Sequence, residues 1–180
     1  MAMGIKIENQ VESRKIPART EEIIQNIVAT VPREHIRGIE RLKLVDVIKD
    51  SRVRLPQKSS LPGLYHPKQG SQPAWVEIAL DVLLPPGGPF YKKLMPRLSF
   101  KANLAAVIFS LVGQHYYQTM RHSVKKTQLE TSVRLYAEKQ LKSWSTKENR
   151  LRTRLFKPFQ PALERWARSL QKRAKESKKG

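Results

Sequence analysis

Residues 104–117 read Leu-Ala-Ala-Val-Ile-Phe-Ser-Leu-Val-Gly-Gln-His-Tyr-Tyr. From Leu104 to Val112 only Ser110 is polar, so a helix built from this stretch is apolar nearly all round. Such a helix is stable only where neighbours cover every side of it. The stretch therefore marks the centre of the core, on a helix predicted over Ser99–Thr119.

The flanking segments supply the cover. Ile23, Ile24, Ile27, Val28 and Val31 recur at helical spacing, which predicts a helix from Glu21 to Val31. Thr20 is placed to cap it, Glu21 and Glu22 suit its positive end, and Pro32 stops it. Ile39–Ile48 alternates as a strand, with a slip near Leu44–Val45. Residues 50–63 read as loop, Leu64–Tyr65 as a short strand and His66–Gln72 as a turn. Trp75–Leu80 reads as a second strand, with Trp75 in the core. Leu84–Pro96 holds four prolines and two glycines and reads as loop. After the central helix, Leu129, Val133, Tyr136, Ala137 and Leu141 predict a helix over Val124–Lys142. Leu163, Trp166, Ala167 and Leu170 predict another from Pro161 to Lys175. The order of helix, strands and then helices gives an α+β class. The division expected is an N-terminal arm (1–19), a core domain (20–142) and a basic C-terminal helical extension (143–180).

Charge is unevenly spread. The chain holds 35 Lys and Arg against 15 Asp and Glu, a formal net charge of +20. Residues 1–120 carry 17 basic and 10 acidic side chains, while residues 121–180 carry 18 and 5. A balance so far from neutral favours anionic partners, either nucleic acid or an acidic protein. The 13 basic residues of segment 142–180 include Arg150, Arg152, Arg154, Lys157, Arg165, Arg168, Lys172 and Arg173, interleaved with Trp144, Phe156, Phe159 and Trp166. Basic residues among aromatics suit a phosphate backbone with exposed bases. The competing reading docks these aromatics on the core and leaves the charges facing water. The absence of cysteine removes disulfides, thiol catalysis and cysteine-based zinc sites. Met1–Gln10 lacks the apolar run of a signal peptide, and no apolar stretch is long enough to span a bilayer. The expectation is a cytoplasmic protein without membrane contact.

The run Phe109-Ser110-Leu111-Val112-Gly113-Gln114-His115 resembles the active helix of small zincin-like metallopeptidases, in which His-Glu-x-Gly-His-His follows apolar residues. That chemistry needs two His at i and i+4 to face one zinc ion, and a Glu beside the first to activate the bound water. Aligned on Gly113, Ser110 stands at the first His, Leu111 at the Glu and Gln114 at the second His. Leu cannot take a proton, and Ser and Gln are poor zinc ligands. His115 remains, and Glu130 on the following helix resembles the third, carboxylate ligand. The resemblance covers residues 20–142. It implies a zincin-like core of helix, short sheet, buried central helix and following helix, with the catalytic set lost.

Two catalytic alternatives exist. His66, His115, His122 and Glu130 hold a metal only if the fold gathers them. His115 and His122 lie two helical turns apart, about 10 Å along the axis. Ser110 and His115 as a nucleophile pair are i, i+5 and diverge on a helix; a hydrogen-bonded structural role suits His115 better. No Walker loop, dinucleotide-binding glycine motif or zinc-finger spacing occurs, so no cofactor is expected. The expectation is a non-catalytic basic binding protein engaging nucleic acid or another polyanion. A metal-dependent hydrolase with a rearranged site and a basic scaffold subunit of a protein complex are the alternatives.

Overall fold

The computed structural model describes residues 5–13, 15–50, 61–85, 90–120 and 126–156, with side chains of the two long helices described over 99–119 and 128–148. The elements are β1 (Lys6–Gln10), α1 (Thr20–Val28), α2 (Arg33–Ile36), β2 (Ile39–Val45), β3 (Gly63–His66), β4 (Ala74–Ala79), α3 (Leu80–Leu83), α4 (Phe90–Met120) and α5 (Lys126–Phe156). The class is α+β, as the sequence predicts. The chain divides into two compact units, residues 1–142 and 143–180.

Within the first unit a four-stranded sheet runs in the order β1-β2-β4-β3. β1 and β4 both pair parallel to β2, and β3 pairs antiparallel to β4. Alternation then separates two faces. Leu42 and Leu44 of β2, Val76 and Ile78 of β4 and Tyr65 of β3 are buried. With them are buried Ile24 and Ile27 of α1 and Leu104, Ala105, Ile108, Phe109, Leu111 and Val112 of α4. Each large apolar side chain fully removed from water contributes about 1.5–3 kcal/mol. The opposite face carries Arg41, Lys43, Trp75, Glu77 and His66. Trp75 is therefore half-buried on the polar face rather than in the core. The His66 ring stacks on it at 3.6 Å, and the Lys43 ammonium stands 4.4 Å from its centre.

Several boundaries differ from expectation. β1 falls in the predicted N-terminal arm, where Ile-Lys-Ile-Glu-Asn-Gln is too short to announce a strand without its partner. The segment after it is tied to the end of β2 by Asp46, whose carboxylate accepts the Glu12 and Ser13 amides at 3.0 and 3.2 Å and the Ser13 hydroxyl. Thr20 does not cap α1: its hydroxyl donates to the Pro17 carbonyl at 2.7 Å, and Arg19, at φ 64°, makes the turn. The slip in β2 lies between Ile39 and Arg41, not at Leu44–Val45. α4 begins at Phe90 and passes through Pro96, where a loop is predicted. The proline removes one helical hydrogen bond, a local loss that a helix of 31 residues outlasts. α5 continues past Lys142 to Phe156, because no glycine or proline interrupts it before Pro158. The helix predicted over Pro161–Lys175 lies outside the described residues.

Two glycines let α4 sit this close to its neighbours. A Cβ on Gly63 would lie 2.8 Å from Val107 and 2.9 Å from Leu111, so β3 can approach α4 only with hydrogen at that position. A Cβ on Gly113 would lie 2.7 Å from Cδ1 of Tyr136 on α5. That ring is held by a 2.8 Å hydrogen bond between its hydroxyl group and Nδ1 of His35, so it has little room to give. Gly113→Ala sets a helix-propensity gain of about 1 kcal/mol against overpacking of about 1–3 kcal/mol. We expect a net loss of up to about 2 kcal/mol in chemical denaturation. An unchanged midpoint would mean that the ring moves freely.

Candidate functional site

Two of the motif positions meet at one place. Ser110 of α4 and Glu130 of α5 both line a groove of about 590 Å³ between these helices. Ala106, Val133, Ala137 and Leu141 form its apolar lining, and Arg134 and Glu138 stand with Glu130 on α5. The other motif positions point elsewhere. Gln114 is half-buried and is not among the lining residues. Leu111 is buried, close against β3 at Gly63. Gly113 faces Tyr136.

This donor set does not fit a zinc ion. The Ser110 hydroxyl donates back to the Ala106 carbonyl of its own helix at 2.8 Å. Leu111, which the resemblance places at the general base, is aliphatic and buried. Among the described residues no three His, Asp or Glu side chains gather as a metal would require.

His115 is engaged on both ring nitrogens. Nε2 lies 2.9 Å from the Arg37 carbonyl and Nδ1 lies 2.9 Å from the Tyr65 hydroxyl. A carbonyl only accepts, so Nε2 carries the proton, Nδ1 accepts, and Tyr65 donates. One imidazole thus ties α4 to β3 and to the turn before β2. Burial holds its pKa below the ordinary histidine value, with the Arg37 hydrogen bond acting in the opposite direction. Ser110 and His115 face different partners and form no nucleophile pair. His122 lies outside the described residues.

Sequence reasoning missed two clusters, because each joins residues far apart in the chain. In the first, His35 meets Tyr136 through its hydrogen bond and Tyr116 at a ring separation of 4.1 Å, with Tyr117 packed on Tyr116. Burial lowers the His35 pKa, partly offset by Glu34, and raises that of Tyr136. In the second, His66 on the polar face of the sheet has Nε2 3.1 Å from Glu77 and Nδ1 3.6 Å from Asp50. Lys49, Gln69 and Gln72 complete a pocket of about 300 Å³ beside it. His66 and His115 are thus committed to different neighbours, and of the set His66, His115, His122 and Glu130 the three described members are not brought together.

In the basic segment, Arg150, Arg152 and Arg154 fall on α5. Lys157, Arg165, Arg168, Lys172 and Arg173 lie outside the described residues. Trp144 is buried, with 7% of its surface exposed, so it is not presented for stacking on a base.

Two outcomes follow. His35 and His115 both have depressed pKa values, so the unfolded chain binds protons more readily than the folded one. Their stabilising effect is whole above the unfolded value of about 6.5 and is lost as pH falls through the lower folded values. Urea midpoints should fall between about pH 7.5 and about pH 5, and less steeply in His115→Gln. A pH-independent midpoint contradicts the burial argument. Leu111→Glu places a carboxylate in an apolar site and should cost more than about 3 kcal/mol, read as a lower Tm. An unchanged Tm would contradict this placement of Leu111. Compared with known proteins, the chain matches no family model, no curated protein and no solved structure.

Proposed function

We propose that this chain is a non-catalytic binding protein, built on a degenerate zincin-like core and engaging nucleic acid through basic side chains. The observation that carries the first half is Leu111. Where the resemblance puts the group that activates water, the side chain is aliphatic and buried, and the neighbouring Ser110 hydroxyl is committed to the Ala106 carbonyl.

The second half follows from charge. A net charge of +20 is well beyond the roughly 2–8 that keeps a small domain soluble. The excess is concentrated in residues 121–180. Lys and Arg that neutralise phosphates release condensed counterions, so binding of this kind is salt-sensitive and indifferent to sequence. Burial of Trp144 removes it as a platform for base stacking, so the reading rests on the Lys and Arg side chains.

Elemental analysis of the purified protein should find no stoichiometric zinc; one equivalent would restore the hydrolase reading. In an anisotropy titration with duplex DNA, log affinity should fall with log salt at a slope of about −0.9 per contacted phosphate. Replacing Arg150, Arg152 and Arg154 together by Ala should flatten that slope by up to about three contacts and weaken all sequences alike. No binding at low salt would leave an acidic protein as the partner.

A further inference from the structure

The groove between α4 and α5 has a regular build. Ala106 and Ser110 lie one helical turn apart on α4, and Val133, Ala137 and Leu141 repeat at the same spacing on α5. Residues four apart form a row along a helix, and such rows bound the channels into which the ridge of another helix packs. Small and aliphatic side chains make up both rows, which allows a third backbone to come close. Alongside runs a further row on α5 (Glu130, Arg134 and Glu138), all exposed. It sets two carboxylates against one guanidinium, and Arg134 already lies 3.9 Å from Glu138. The sign of this border is opposite to that of the chain as a whole.

We infer that the groove docks an amphipathic helix of a partner protein, with small or aliphatic residues on the inserted face and Lys or Arg beside it. Apolar surface supplies the affinity, and the carboxylates of Glu130 and Glu138 select a cationic border and repel an acidic one. The inference rests on the reading that Ser110 and Glu130 hold no metal, since an ion there would occupy the same space.

The test uses the full chain and a dye-labelled model peptide of roughly 15 residues, where an isolated helix begins to hold in water. Leu and Ala form one face of the peptide and Lys the remainder. A scrambled peptide of equal composition is the control. A protein of this net charge repels both, so preference for the amphipathic one reports a local site. We expect the scramble to bind at least about tenfold more weakly, the gap coming from the apolar face it lacks. Glu130→Lys with Glu138→Lys should weaken binding about three- to tenfold, and Arg134→Ala should strengthen it about two- to threefold. Ala106→Trp, which fills the groove, should abolish it; circular dichroism confirms that each variant is folded. Equal binding of the two peptides, no binding, or affinity untouched by the charge changes in folded protein overturns the inference. Zinc content of the same samples separates the two failures. A metal-loaded groove overturns the non-catalytic reading, and a metal-free groove indifferent to the peptide overturns only the docking helix.

Discussion

Close approach of α4 to its neighbours is the constraint on which the rest of the first unit depends. The helix has apolar side chains in nearly every direction over Leu104–Val112, so exposure of any side would forfeit part of the burial that holds it. Gly63 clears the way for Val107 and Leu111 against β3, and Gly113 clears the way for the Tyr136 ring of α5. Interiors pack near crystal density, so one added carbon at either contact displaces something already in place.

His115 and Ser110, polar groups of α4 inside this packing, are matched rather than left open. His115 could be buried only with both ring nitrogens satisfied, since an unmet polar atom in such a place costs about 1–3 kcal/mol. Tyr65 and the Arg37 carbonyl meet it from two other elements. The same economy governs Ser110, whose hydroxyl is satisfied within α4. Side chains so committed serve cohesion, and the groove beside them is left with aliphatic rows and surface charges instead of a ligand set.

Charge works at two ranges. The excess of Lys and Arg acts over a Debye length of about 8–10 Å, which is the range of the proposed attraction to polyanions. The row of Glu130, Arg134 and Glu138 acts only at contact, which is the range of the proposed choice of partner helix. A basic protein can therefore carry a small acidic-bordered groove without contradiction, because screening separates the two fields.

Whatever depends on near neighbours in the chain was legible in one dimension: the buried central helix, the apolar stripes of α1 and α5, the strands beginning at Ile39 and close to Trp75, though not their ends at Val45 and Ala79, and the excess of positive charge. These are readable because side-chain period and composition are local properties. Tertiary structure decided the rest. β1 became a strand only by pairing with β2. The sheet register placed Trp75 on the polar face, although its residue type suits a core equally well. Gly113 reads as part of a motif in one dimension and as clearance for an aromatic ring in three. Ser110 and Glu130, which are 20 positions apart in the sequence, share a groove, while Gln114, one turn from Ser110, does not line it. The physical reason is common to all of these. Periodicity says which way a side chain points relative to its own helix or strand, but what stands opposite it is settled only when distant segments pack.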